Sequence, residues 1–125
     1  MKIYKTKLFL KWQTKEKIPD IALCNAAQEV IDGLIDADLG ASLFKKRIAR
    51  PGAGKSGGYR TIIATRIKGT LFFIFGFAKN EKSNLSVSEK KSLSEIGSKV
   101  LGFTVDEINM LIQEQKLFEV HYEEK

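Results

Sequence analysis

The run Thr70–Ala78 carries six large apolar side chains in nine positions, Leu71, Phe72, Phe73, Ile74, Phe75 and Phe77, and no charge. It constrains the fold more than any other segment. It is too short to span a bilayer, and its apolar residues do not alternate with polar ones. It therefore reads as a strand buried on both faces. Residues 58–67, just before it, are rich in β-branched side chains, and Lys68-Gly69 marks a turn. Strand, turn and strand in that order predict an antiparallel hairpin.

The rest of the chain supplies elements to pack on that hairpin. Residues 2–6 open a strand, and residues 7–17 either continue it or form a short amphipathic helix. Ile18-Pro19-Asp20 interrupts the chain, and Asp20 is placed to cap a helix over residues 21–31, with Ile21, Leu23, Ala27, Val30 and Ile31 as its apolar side. Gly33 and Gly40 punctuate the next stretch. Residues 43–48 read as a short strand, residues 50–57 as a glycine-rich loop, and residues 79–85 as a polar loop. Ser86 with Glu89 and Thr104 with Glu107 form two capping boxes. They open helices through about Leu101 and over residues 105–115. Leu93, Ile96, Val100 and Leu101 face inward on the first, and Ile108, Leu111 and Ile112 on the second. Gly102 ends the first helix, and residues 117–122 alternate enough for a last strand. The class is α+β, a small twisted antiparallel sheet with helices packed on it.

A chain of 125 residues is expected to form one domain, residues 1–125. No apolar run is long enough for a membrane span, and the basic start lacks the apolar core and cleavage site of a signal peptide. The single cysteine, Cys24, lies among small apolar residues and reads as a buried structural thiol. These features predict a cytoplasmic protein without membrane contact.

Charge is distributed unevenly. The net charge is +6, and residues 39–80 hold nine of the basic side chains and no Asp or Glu. A block of one sign sets up a local field that attracts a polyanion, whereas a merely solubilising surface mixes both signs. Gly54-Lys55-Ser56 suggests a phosphate-binding loop of the NTPase kind, but position 49 is Ala where a Gly is required. A strand rather than a helix follows Ser56, so nucleotide hydrolysis is excluded. The one histidine, His121, is far from Cys24 in sequence, which leaves no metal-ligand set and no Cys–His pair. No cofactor is expected.

Three segments carry a family resemblance: Lys45-Lys46-Arg47-Ile48-Ala49-Arg50, then Gly52 to Arg60 ending in Gly57-Gly58-Tyr59-Arg60, then Phe77-Ala78-Lys79-Asn80-Glu81. Together and in this order they resemble the RelE/ParE superfamily of toxins, in its HigB-like branch. The resemblance is close over residues 42–101 and looser on the flanks. It implies a type II toxin that binds the ribosome and cuts messenger RNA without a metal, inhibiting translation. It also implies a cognate antitoxin, in that branch often a helix-turn-helix DNA-binding protein, with operator DNA reached only through the complex.

Cleavage of RNA by its own 2′-hydroxyl needs a base, positive charge on the developing phosphorane and an acid for the leaving 5′-oxygen. With one histidine, Lys and Arg must supply these. A lysine crowded by cations loses its proton more easily, which makes Lys55 and Lys79 the candidates for proton transfer. Arg60 is the candidate for the phosphate, because its fork holds two oxygens. Lys45, Arg47, Arg50 and Asn80 are candidate RNA contacts, with Tyr59 or Phe77 stacking on a base. Phe77 lacks the hydroxyl that some relatives carry there. Two other readings share this sequence: a non-enzymatic gyrase inhibitor of the ParE type, and a plain nucleic-acid-binding module.

Overall fold

The computed structural model describes residues 1–50, 54–66, 69–78 and 84–121, with the backbone alone at residues 54–57. The order is β1 (Lys2–Thr6), α1 (Lys7–Glu16), α2 (Asp20–Ile31), β2 (Ala37–Gly40), β3 (Leu43–Arg50), β4 (Gly54–Thr65), β5 (Thr70–Ala78), α3 (Val87–Leu101), α4 (Val105–Gln113) and β6 (Leu117–Val120). The six strands form one sheet in the order β2-β3-β4-β5-β1-β6. The class is α+β, as expected. The hairpin expected from the sequence is β4–β5, near the middle of the sheet. All pairings are antiparallel except β1 with β5, which run parallel. That pairing inserts the chain start between β5 and β6.

Helices cover both faces of the sheet. On one face α1 and α2 bury Phe9, Leu23, Ala27 and Val30 against Ile3, Ile48, Ile63 and Phe73. On the other, α3 and α4 bury Leu93, Val100 and Ile108 against Leu43, Ile62, Ala64, Phe72 and Phe77. This two-sided burial is why Thr70–Ala78 is apolar at nearly every position. Gly97 lets α3 approach closely: a Cβ there would stand 2.9 Å from a Leu43 methyl.

Residues 7–16 are helical. Thr6 caps α1, its hydroxyl accepting the Phe9 N–H at 3.2 Å. Both predicted capping boxes form, at Ser86 and at Thr104, and Gly102 follows α3. α4 ends at Gln113, two residues sooner than expected. Asp20 is not the cap of α2. That position falls to Pro19, and Asp20 starts the helix with its carboxylate turned to other partners. Lys5 Nζ reaches Gln13 Oε1 at 2.8 Å and Asp20 Oδ1 at 3.0 Å, and Gln13 Nε2 donates to Asp20 at 2.7 Å and to the Ile18 carbonyl at 2.9 Å. A buried lysine is tolerable there because its charge is paired and two of its donors are used. Ile21, expected inward, is exposed, while Cys24 is buried. Ile96 of the α3 stripe is partly exposed as well. Residues 54–57 extend β4 rather than belonging to the loop, and β2 was not foreseen. Among the described residues, no helix is long and apolar enough to cross a membrane.

Candidate functional site

The basic block is concentrated on β3 and β4, and strand register decides which face each side chain takes. In an antiparallel pair, residues directly opposite one another share a face. Arg47 lies opposite Arg60, and Arg60 lies opposite Phe77. Lys45 lies opposite Ile62, and Ile62 opposite Phe75. These form two adjacent rows across β3, β4 and β5, on the face that α3 and α4 cover further along. α3 lies over Leu43 and Ala64, which are themselves opposite each other. The basic rows start at the next same-face position, Lys45 with Ile62.

A β-bulge is needed for this arrangement. Between Ile62 and Ile63 the register with β5 shifts, from Phe75 to Phe73. Ile74 is the extra residue. The shift turns Phe75 and Phe77 to the α3 face while Phe73 stays on the α1 face. Phe75 remains partly exposed, with its ring centroid 6.1 Å from that of Phe77.

Arg60 is 8% exposed, and its Nη1 donates to the Gly58 carbonyl at 3.3 Å. The residue as a whole is buried, and this contact turns its head back along β4. Arg47 is more open, its side chain 39% exposed. Its backbone N–H donates to Asp36 Oδ2 at 2.7 Å and its Nε–H to Asp36 Oδ1 at 2.8 Å. Burial alone would raise the Asp36 pKa, but the two Arg47 hydrogen bonds, with the charges of Arg47 and Lys46, outweigh it and hold the carboxyl below its ordinary value. Because the Arg47 amide points outward to Asp36, it does not bond across to β4. Arg47 and Arg60 therefore meet at a position without mutual backbone hydrogen bonds, where opposed side chains come closest.

Other candidates lie elsewhere. Tyr59 is 5% exposed and faces α1, its ring edge-on to Trp12 at 5.4 Å. Two residues beyond Ile48 on β3, Arg50 takes the same side, its guanidinium 5.7 Å from the Tyr59 ring centre. Neither joins the rows. Phe77 does, but at 3% exposure it belongs to the core, so Phe75 is the aromatic that can meet a ligand. Lys46, inside the basic block, points under α2, where Nζ meets the Leu34 carbonyl at 2.8 Å and Glu29 at 3.2 Å. The Lys55 side chain, Lys79 and Asn80 lie outside the described residues. Two members of the site escaped the sequence reading. Phe75 was hidden by the bulge, and Asp36, eleven residues before Arg47, has no local signal.

The structure thus groups Lys45, Arg47 and Arg60 on one face, with Phe75 and Phe77 beside them and Asp36 at the edge. Cationic forks beside an aromatic suit a phosphate and its attached base. Compared with known families, residues 1–120 match the model of the RelE toxin of the RelE/RelB toxin–antitoxin system. No curated protein matches the chain.

Proposed function

The chain belongs to the RelE toxin family, and from that premise we propose that it is a ribosome-dependent endoribonuclease acting on messenger RNA. As a member of that family it is the toxin of a toxin–antitoxin system, with a cognate antitoxin as its partner. The single observation that carries the enzymatic reading is the placement of Arg47 directly opposite Arg60, beside Phe77 and Phe75. Two forks side by side suit a pentavalent phosphorane, whose extra negative charge exists only in the transition state.

In this reading the 2′-hydroxyl attacks the adjacent phosphorus. The O2′–P bond forms, the P–O5′ bond breaks, and the products are a 2′,3′-cyclic phosphate and a 5′-hydroxyl. Arg60 and Arg47 hold the phosphoryl oxygens, and Lys45 meets a neighbouring phosphate. Phe75 takes the stacking role expected of Tyr59 or Phe77. Lys55 and Lys79 are assigned the proton transfers, taking one from O2′ and giving one to O5′, and Asn80 is assigned an RNA contact. The antitoxin, of the helix-turn-helix type, covers the Arg47–Arg60 face with an acidic or amphipathic segment.

The test is cleavage of a defined messenger by the purified chain, with and without programmed ribosomes, using Arg60→Ala as the control. Cuts that need the ribosome and vanish in the variant support the proposal. A folded chain that cuts nothing yet arrests growth turns the reading to a gyrase-type inhibitor. Binding without cutting leaves a plain RNA-binding module.

A further inference from the structure

The Arg47 guanidinium carries five N–H donors, and Asp36 engages one of them, Nε–H. The same carboxylate also accepts the Arg47 backbone N–H. Backbone and side chain of one residue are thus gripped by one acidic group, whose side chain is itself only 18% exposed. β2 cannot supply this grip, because its register with β3 ends at Ala37 opposite Lys45. Asp36 is nevertheless secured at the edge: its own N–H donates to the Lys45 carbonyl at 3.0 Å.

We propose that Asp36 is a positioning residue, which fixes Arg47 so that its two Nη nitrogens meet a substrate phosphate beside Arg60. The inference rests on the RNA-cleaving reading above. A free arginine beyond the end of β2's pairing samples many rotamers, and two arginines placed opposite each other repel and splay apart. The Asp36 carboxylate opposes both effects. It occupies the Nε side of the guanidinium and leaves the Nη end for a ligand. Being tied to a main-chain amide, it is not readily displaced by an incoming phosphate. Asp36 touches no reacting atom and acts through Arg47.

A contrary effect makes the inference testable. An aspartate near an RNA site repels phosphates, so a merely competing counter-charge would weaken binding, and its removal would strengthen it. The experiment measures binding of a short single-stranded RNA, with deoxyribose at the cleavage step, to the full chain across a salt series. Removing one cation from the phosphates lowers the slope of log affinity against log salt by about 0.7 for single strands. Arg47→Ala is expected to lower the slope by about that amount. Positioning predicts the same reduction in Asp36→Ala, no further reduction in the double variant, and a fall of about tenfold in kcat/KM on programmed ribosomes, taking roughly 1.4 kcal/mol of transition-state binding as the measure. Asp36→Asn keeps the shape without the charge and serves if the alanine variant does not fold.

Tighter binding or an undiminished slope in the folded Asp36 variants would overturn the proposal, leaving Asp36 as a competitor or a cap on the β3 edge. Failure of the underlying reading looks different. A wild-type chain that binds RNA but never cuts it removes the nuclease, while the slope comparison still decides Asp36. A wild-type chain that neither binds RNA nor cuts it on programmed ribosomes removes both, and where it cuts on ribosomes without binding free RNA, an unchanged kcat/KM in the Asp36 variants overturns the positioning role.

Discussion

Arg47 and Arg60 stand directly opposite one another on neighbouring antiparallel strands, with Asp36 as a counter-charge at the edge beside Arg47. Like charges so placed are destabilising unless something offsets them. Their juxtaposition on paired strands points to a use for the charge rather than to a contribution to folding.

Arg60→Met tests that use most cleanly, since it retains much of the buried stem and removes the fork. Ribosome-dependent cleavage is expected to fall by about 100- to 1,000-fold, the loss typical of one preorganised donor to a developing anion. Arg60→Lys should restore little, because a point charge on a flexible stem cannot hold two oxygens. Single-turnover cleavage, with a thermal melt to confirm folding, checks both. Full activity in Arg60→Met would remove Arg60 from the reaction.

Lys46 makes the opposite case. It neighbours Arg47 in sequence, but its ammonium is buried against Glu29 and the Leu34 carbonyl. Lys46→Met should leave the salt slope of RNA binding unchanged. It should lower stability by about 1–3 kcal/mol, since it takes this donor from a carbonyl and a carboxylate. Urea unfolding and the salt series together read this out, and a reduced slope would place Lys46 at the RNA after all.

Trp12 fills the space above Gly76. A Cβ on Gly76 would stand 2.3 Å from two atoms of the Trp12 ring. Gly76→Ala is therefore expected to lower stability by about 1–3 kcal/mol through overpacking of α1 on β5. The urea midpoint should fall with an unchanged m-value. A midpoint equal to wild type would mean that the indole moves aside at no cost.

The Lys5–Gln13–Asp20 network predicts a pH dependence. Burial pushes the Asp20 pKa up, but hydrogen bonds from Gln13 and Lys5, with the charges of Lys5 and His121, pull it below its ordinary 3.8. Folding thus favours the ionised form. The network stabilises fully above that ordinary value, and the gain is lost as pH falls through the lower folded value. Asp20→Asn should be less stable than wild type at pH 7, and the gap should narrow in acid below about pH 4. Urea midpoints at several pH values measure it, and a gap that persists unchanged into strong acid would exclude the mechanism.

Local chemistry made much of this molecule legible in its sequence. Hydroxyl and carboxylate at a spacing of three start α3 and α4, because they satisfy helix amides without tertiary help. The apolar run at Thr70–Ala78 and the turn before it announce the β4–β5 hairpin, and the one-signed block announces a local excess of positive charge. Resemblance to a family added the expected chemistry, and the match over residues 1–120 shows the RelE toxin family itself. Tertiary structure decided which of the basic and aromatic residues share a face. In a strand, facing depends on register, and one inserted residue reverses it. The shift at Ile62 brings Phe75 to the same side as Arg60. Asp36 lies in no motif and reaches Arg47 only because β2 folds back along β3. Sequence alone determined the β4–β5 hairpin, the capped helices α3 and α4 and the excess of positive charge, because these depend on neighbours along the chain. Strand pairing decided which cations stand together and which are buried away, because that depends on neighbours in space.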